Sequence, residues 1–107
     1  RREVTGVAGN DGRAPARTAL LGNAPNPFNP STVIPFSLDR AGRVDLAVYD
    51  VGGRLVKSIA SGPMNAGEHA ARWDGTDSNG TPVAAGVYLC RLETEGAKLH
   101  RKMLLVK

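Results

Sequence analysis

Residues 34–48, IPFSLDRAGRVDLAV, contain two short runs in which every second residue is apolar. The alternating apolar residues are Ile34, Phe36, Leu38, Val44, Leu46 and Val48. A period of two places one side of an extended strand in a core and the other side in water. Between the runs, residues 39–42 have the sequence DRAG, which is typical of a turn. The stretch therefore predicts two half-buried β-strands joined by a reversal of the chain.

The same pattern of short apolar segments and turn residues extends along most of the chain. Glycine and proline are frequent, with 13 and 7 residues, and tight turns favour both because they require a positive or a fixed φ. Further strands are predicted at about residues 18–22, 54–60, 69–73, 87–94 and 98–107. No helical periodicity lasts longer than one turn. The spacing predicts an all-β fold, a two-sheet antiparallel sandwich of about seven strands.

Three segments are expected to interrupt regular strand pairing. Val56 and Ile59 break the alternation within residues 54–60, which indicates a β-bulge or an irregular edge strand. Residues 23–31, NAPNPFNPS, contain three prolines and cannot join a regular ladder, because proline has no N–H to donate. Residues 61–67 are expected to form a loop.

Seven residues are predicted to form much of the core because they share the inward parity of their strands. They are Ile34, Phe36, Leu46, Val48, Trp73, Tyr88 and Leu92. Trp73 is large enough to bridge two sheets. The alternative is an exposed platform on which Trp73 stacks a carbohydrate. Such a platform would lack companion aromatic residues, because Phe, Trp and Tyr together make up only 5% of the chain.

Residues 1–17, RREVTGVAGNDGRAPAR, show no sustained periodicity and are predicted to be a linker or an N-terminal arm. Residues 18–107 are predicted to form the sandwich, and a chain of 107 residues has the size of one domain. Within the arm, residues 3–7 are best able to extend, and residues 9–12 would act as a flexible joint. We expect the arm to add to an exposed sheet edge of its own domain or of another copy. The second arrangement predicts self-association through residues 1–17.

The formal net charge of +4 invites a comparison with nucleic-acid-binding proteins. The basic residues at the two ends of the chain are Arg1, Arg2, Arg13, Arg17, Lys98, Arg101 and Lys102. Nucleic-acid binding calls for a clustered basic stripe, ideally with stacking aromatic residues. The spread of these charges predicts no nucleic-acid partner; they are expected to solubilise one face and protect sheet edges. No membrane span is expected, because no apolar run approaches roughly 18 residues.

A nucleophilic site would have to be built from Cys90, His69 and His100, because the chain has one cysteine and two histidines. Cys90 shares the parity of Tyr88 and Leu92, which predicts a small core residue. No spacing in the sequence indicates a nucleophile, a histidine and a carboxylate brought together. The chain is therefore predicted not to be an enzyme. A single cysteine also excludes an internal disulfide and a cysteine-based zinc site.

Residues 74–80, DGTDSNG, place oxygen-bearing side chains around a glycine turn. Asp74, Asp77 and Asn79 are weak candidate calcium ligands, and no other metal or cofactor is expected. An EF-hand loop beginning at Asp74 would need a bidentate glutamate at its twelfth position, where this chain has Ala85. The favoured alternative is that the Asp and Asn side chains cap the backbone of the loop in Asx turns.

Several short motifs occur in a fixed order along residues 20–107. They are NPFNPST at 26–32, VYD at 48–50, GR at 53–54, AGEH at 66–69, WDG at 73–75, PVA at 82–84, GVY at 86–88 and KMLLVK at 102–107. In this order they resemble the immunoglobulin-like domain of flagellar hook-capping proteins and the related C-terminal sorting domains of type IX secretion cargo. The resemblance implies an immunoglobulin-like sandwich in an extracellular or outer-surface protein of a bacterium.

The resemblance leaves two functions open. The first is a non-catalytic C-terminal sorting or anchoring module whose folded sandwich and last strand are recognised by a secretion translocon. The residues expected to carry that recognition are Lys102, Met103, Leu104, Leu105, Val106 and Lys107. The alternative is a structural subunit or spacer of an extracellular assembly, such as a filament or appendage. In that case residues 1–17 would contact other protein subunits.

Overall fold

The computed structural model describes residues 15–107. This part of the chain forms seven β-strands and no helix, so it has no helix that could cross a membrane. The strands are β1 (Ala19–Leu20), β2 (Thr32–Leu38), β3 (Gly42–Asp50), β4 (Leu55–Met64), β5 (Gly67–Trp73), β6 (Gly86–Glu93) and β7 (Lys98–Leu105). They form two antiparallel sheets with the strand orders β1-β2-β5 and β4-β3-β6-β7. The predicted two-sheet sandwich is confirmed, and its connectivity is of the immunoglobulin type.

The core lies between the two sheets and consists of the inward-facing apolar side chains. In β2 and β6, buried residues alternate with more exposed ones. The buried apolar residues are Leu20, Phe28, Ile34, Phe36, Leu38, Val44, Leu46, Ala47, Val48, Trp73, Tyr88, Cys90, Leu92, Met103 and Leu105. All seven residues predicted for the core belong to this set. Removing large side chains of this kind from water contributes roughly 1.5–3 kcal/mol each to folding.

Trp73 on β5 connects the two sheets. Its side chain is fully buried, and its ring centroid lies 5.2 Å from that of Tyr88 on β6 and 5.6 Å from that of Phe28. The indole Nε1–H donates a hydrogen bond to the Thr76 carbonyl oxygen at 2.9 Å. Tilted and edge-to-face ring pairs add stability beyond the burial of their area. This position excludes Trp73 as an exposed carbohydrate platform.

Tyr88 forms a tyrosine corner at the start of β6, where its hydroxyl donates to the carbonyl oxygen of Ala84. Burial, and to a smaller extent the charge of Asp50, raises the pKa of Tyr88 and keeps this hydroxyl protonated. Cys90 follows at the position where antibody domains carry the second cysteine of their inter-sheet disulfide. Because Cys90 is the only cysteine of the chain, the corner is present here without the disulfide.

β4 contains two β-bulges against β3. Ile59 is the extra residue where the register shifts between Leu46 and Ala47. Val56 is the extra residue at the second shift, next to Tyr49. β4 is also an edge strand of the larger sheet. The sequence predicted a β-bulge or an irregular edge strand here, and the structure has a bulge at each of the two residues that break the alternation, in a strand that is also an edge.

The prediction of a loop over residues 61–67 is wrong for residues 61–64 and for Gly67, which begins β5. β4 continues to Met64, with Gly62 opposite Val44 and Met64 opposite Gly42. The strand extends because β3 supplies a backbone partner along this whole length, and such a partner is not visible in local sequence. The last strand ends at Leu105, whereas the pattern predicted that it reaches residue 107.

Residues 23–31 make isolated bridges to both sheets, in agreement with the expectation that they cannot join a regular ladder. Ala24 bridges Val33 in β2, and Phe28 bridges Leu105 in β7. The Phe28 side chain is fully buried, although it is absent from the predicted core. A prediction based on strand parity misses it because Phe28 lies in a loop.

Candidate protein-interaction surface

One end of the outer face of the larger sheet is apolar. Side chains directly opposite each other in neighbouring strands share a face of the sheet, so the register defines rows across it. One row contains Leu55, Tyr49, Leu89 and Lys102, and the next contains Val87 and Leu104. Leu55, Val87 and Leu104 are 56%, 40% and 38% exposed. The outer-face patch is defined here as Tyr49, Leu55, Val87, Leu89 and Leu104.

The other end of the same face is charged, and its charges pair with one another. Arg91 Nη2 and Lys98 Nζ each lie 3.8 Å from a carboxylate oxygen of Glu93. The Arg91 guanidinium also lies 4.4 Å from the Tyr49 ring centroid and donates to the Tyr49 hydroxyl at 2.7 Å. The face therefore divides into a self-paired charged half and an apolar half.

The outer-face patch is the strongest candidate functional feature in residues 15–107. An antiparallel sheet with one solvated face normally carries polar side chains there, and contiguous exposed apolar groups mark contact sites. This patch was not predicted from the sequence. The sequence did contain a signal. Residues 87–90, VYLC, are apolar on both sides of the strand, whereas a strand with one solvated face needs apolar residues on one side only.

The candidate calcium ligands hydrogen-bond within their own loop. Asp74 Oδ1 accepts from the N–H and the hydroxyl of Thr76, and hydrogen bonding to Thr76 is the main cause that lowers the pKa of Asp74. Asp77 Oδ1 accepts from the N–H groups of Asn79 and Thr81, at 2.9 and 3.0 Å. These are Asx turns. Within residues 15–107, no three His, Cys, Asp or Glu side chains converge as a metal site would require.

Cys90 and the two histidines are distributed over different parts of the sandwich. Cys90 is buried on the inner side of β6, and burial raises the pKa of its thiol to about 12. His100 lies opposite Arg91 on the outer face, so the sheet separates it from the thiol. His69 lies on β5 of the other sheet, where its ring stacks on Phe36 with centroids 5.3 Å apart. A buried, protonated thiol of this kind is not a nucleophile.

We expect Cys90 to resist alkylation and disulfide exchange in the folded protein and to react fully after unfolding. The thiolate is the reactive form, and a pKa of about 12 leaves only about one thiol in 10⁴ ionised near pH 8. Labelling with Ellman's reagent, with and without concentrated guanidinium chloride, measures both states. Fast stoichiometric labelling of the folded chain would contradict the burial of this residue.

The six residues predicted for translocon recognition alternate between the core and the surface. Met103 and Leu105 are buried, whereas Leu104, Val106 and the two lysines are exposed. The core therefore explains two of the four apolar residues in this segment, and only the exposed side chains are accessible to a partner.

The predicted arm, residues 1–17, lies outside the described residues except for residues 15–17. Its addition to a sheet edge and its part in self-association stay predictions. The beginning of the sandwich is anchored at Thr18, whose hydroxyl donates to Asp39 Oδ1 at 3.0 Å. The first strand, β1, lies within residues 18–22 as predicted.

Residues 29–98 match the FlgD Ig-like domain. The basal-body rod modification protein FlgD of Salmonella typhimurium is 29% identical over 89 residues, and that of Escherichia coli is 28% identical over 89 residues. Each match covers 80% of this chain and 38% of the relative. The chain thus spans less than half the length of these curated relatives.

Similar solved structures include FlgD from Xanthomonas campestris, with 27% identity, a TM-score of 0.55 and coverage of 85% of this chain and 63% of that one. Dimeric latent PorU from Porphyromonas gingivalis has a TM-score of 0.64 at 24% identity, over 89% of this chain and 10% of PorU. PorZ of the same bacterium, a surface component of the type-IX secretion system, has a TM-score of 0.58 at 18% identity. That match covers 82% of this chain and 11% of PorZ. At these identities PorU and PorZ share the fold alone. Because the match over residues 29–98 includes more than half of the sequence, this chain belongs to the FlgD Ig-like domain family.

Proposed function

We propose that this domain is a non-catalytic structural module of an extracellular bacterial assembly and that it contacts a neighbouring protein subunit through the outer-face patch. The observation that carries the proposal is the patch itself, an apolar area on a sheet face that would otherwise be solvated. Family membership supports it. FlgD of Xanthomonas campestris is a hook-capping protein essential for flagellar assembly, and the Salmonella relative is a basal-body rod modification protein.

The composition of the face is that of a protein contact. Interfaces combine an apolar centre with a polar rim. Here Leu55, Leu89 and Leu104 belong to the centre, while Lys102 and Arg91 border it. A standard interface uses roughly 20–30 residues a side. The patch therefore acts as the centre of a contact to which other parts of the parent protein contribute.

The proposal is tested by placing charge in the patch of the parent protein in its own bacterium. The double substitution Leu55→Glu and Val87→Glu is expected to abolish assembly of the appendage, seen by electron microscopy. Export of the parent protein should remain normal. The free energy of unfolding of the purified double variant should lie within about 1 kcal/mol of that of the original domain, because both side chains are exposed.

Val33→Glu is the matched control, because Val33 is 42% exposed on the smaller sheet, close to the 40% of Val87. This variant is expected to assemble normally. Normal assembly of the double variant would contradict the proposal. Equal loss of assembly in the control would also contradict it, because the effect would then be independent of the patch.

A second candidate function is the sorting role inferred from the sequence. It is favoured by the exposure of Val106 and Lys107, which follow the last strand and lie outside the outer-face patch. The variant Val106→Glu with Lys107→Glu separates the two functions. Retention of the parent protein in the cell supports sorting, whereas normal export contradicts it.

A further inference from the structure

β7 is an edge strand of the larger sheet, and its register with β6 is unbroken. The N–H of Leu104 donates to Asn26 Oδ1, and its C=O accepts from the N–H of Phe28, both at 3.0 Å. Both groups of Leu104 therefore point away from β6. Paired residues of an antiparallel ladder alternate between hydrogen-bonded and non-hydrogen-bonded. Lys102 and His100, two and four positions earlier, thus also direct their N–H and C=O groups away from β6.

The hairpin at the other end of β7 leads to the same assignment. The N–H of Thr94 donates to the carbonyl oxygen of Ala97 at 2.9 Å. The backbone N–H and C=O groups of Ala97 therefore point toward β6, and those of Lys98 point away from it. Within residues 15–107, no backbone group beyond the sheet bonds to Lys98, His100 or Lys102. The backbone groups of these three residues are called the β7 edge.

The side chains along the β7 edge are basic. β7 has the sequence KLHRKMLL, which contains three Lys and Arg residues and no acidic one. Of these cations, Arg101 donates from Nε to the Leu20 carbonyl oxygen of β1 at 3.0 Å, and Lys98 lies 3.8 Å from Glu93 across the hairpin. Lys102 lies opposite Leu89, an apolar neighbour that offers no charge. The side chains flanking this backbone therefore favour an anionic partner.

The other sheet edges differ from β7. β4 is interrupted by its two bulges, and the N–H of Ser78 already donates to the Val56 carbonyl oxygen on this strand at 3.0 Å. β5 carries both signs of charge, with Glu68 and Arg72. β1 has only two residues. An edge that combines an unbroken register with a single sign of charge is thus specific to β7 within the described sandwich.

We propose that the β7 edge binds an acidic, extended segment of a partner protein, which adds to the larger sheet as a further strand. Main-chain hydrogen bonds to His100 and Lys102 would supply affinity, and carboxylates on alternate positions would face Lys98 and Lys102. The proposal deepens the proposed function, on which it rests, by defining the chemistry of a partner. It concerns a surface distinct from the apolar centre of the outer-face patch.

Charge distinguishes this occupant from two others. A second copy pairing β7 with β7 would bring like charges together, which destabilises a cross-strand pair. Residues 1–14 of the chain contain three arginines and two acidic residues, so they are net basic as well. An acidic partner segment is the occupant that this edge favours.

The test uses the full 107-residue chain and a short peptide in which glutamate alternates with valine. A matched peptide has lysine in place of glutamate. Amide hydrogen exchange, followed by NMR, is expected to slow at least roughly tenfold at His100 and Lys102 when the acidic peptide is saturating. The lysine peptide should leave both amides unchanged.

Two variants and one control identify the site. Lys102→Glu is expected to weaken binding of the acidic peptide about three- to tenfold. His100→Pro removes an edge N–H without touching the ladder to β6, and it should abolish the protection at Lys102. Arg72→Glu makes the same change of charge as Lys102→Glu, but on β5, and should leave binding unchanged.

Three results would overturn the proposal. The lysine peptide binds as well as the acidic one, the Arg72 variant weakens binding as much as the Lys102 variant, or both edge amides are already protected in the free chain. The last result would mean that the chain occupies its own edge. None of these results affects the proposed function, because that is tested in the bacterium with substitutions at Leu55 and Val87.

Discussion

Replacing Trp73 with alanine is expected to lower the free energy of unfolding by about 3–5 kcal/mol. The fully buried indole packs against rings from the opposite sheet and from the loop of residues 23–31. Its removal leaves a cavity that Tyr88 and Phe28 cannot fill together without moving strands. The hydrogen bond to the Thr76 carbonyl oxygen is lost as well. Urea unfolding followed by far-UV circular dichroism measures the effect, because the variant has no tryptophan fluorescence.

Two further variants show whether this effect comes from burial at Trp73. Trp73→Phe keeps part of the ring volume but loses the indole N–H, so it should lower the free energy of unfolding less than Trp73→Ala does. Val51→Ala changes an exposed side chain and should stay within about 0.5 kcal/mol of the original chain. A cost below about 1 kcal/mol for Trp73→Ala would contradict its place at the centre of the core.

Replacing Phe28 with alanine is expected to lower the free energy of unfolding by a similar amount, about 3–5 kcal/mol. Phe28 is fully buried against Trp73, and its backbone bonds to both sides of Leu105. Its N–H donates to the Leu104 carbonyl oxygen at 3.0 Å, and its C=O accepts from the N–H of Val106 at 2.9 Å. Loss of the side chain therefore releases the loop from β7 in addition to opening a cavity.

Hydrogen exchange separates the two consequences of the Phe28 substitution. Exchange at the Val106 amide should accelerate more than exchange at the central amides of β3 and β6. Leu21→Ala is the matched control, since Leu21 lies just before the same loop but is exposed. Equal acceleration throughout the domain would indicate global destabilisation alone and would contradict the local anchoring by Phe28.

Much of the fold was predictable from local pattern. In β2 and β3, a period of two identified both the strands and the side of each strand that is buried, because a half-buried strand needs only its own sequence to define its faces. The bulges at Val56 and Ile59 were predictable for the same reason, since an extra residue breaks that period. Residues 61–64 were misassigned because their strand structure depends on pairing with the beginning of β3, which lies outside the local pattern of residues 61–64.

The motifs that identify the family are mainly structural. Asp50 Oδ1 accepts from the N–H groups of Gly52 and Arg54, and Gly53 has a φ of +87° within the same turn. These bonds, above all the one from the Arg54 N–H, lower the pKa of Asp50. Two further motif residues are also structural: Tyr88 forms the tyrosine corner, and Trp73 is buried in the core. The motifs therefore predict the fold well and carry little information about a partner.

The sequence by itself determined the all-β class, the two-sheet sandwich, its central core residues and the buried, unreactive character of Cys90. These properties depend on residue type and on a period of two along the chain, both of which are local. The tertiary structure decided which apolar residues remain outside, because Leu55, Val87 and Leu104 form a patch only when β4, β6 and β7 take their places in one sheet. It also decided that Phe28 is a core residue and that β7 presents a free basic edge. The first depends on contacts between distant segments, such as the backbone hydrogen bonds that join Phe28 to Leu104 and Val106, and the second depends on which strands lie at the edges of the larger sheet. Neither is visible in the local sequence.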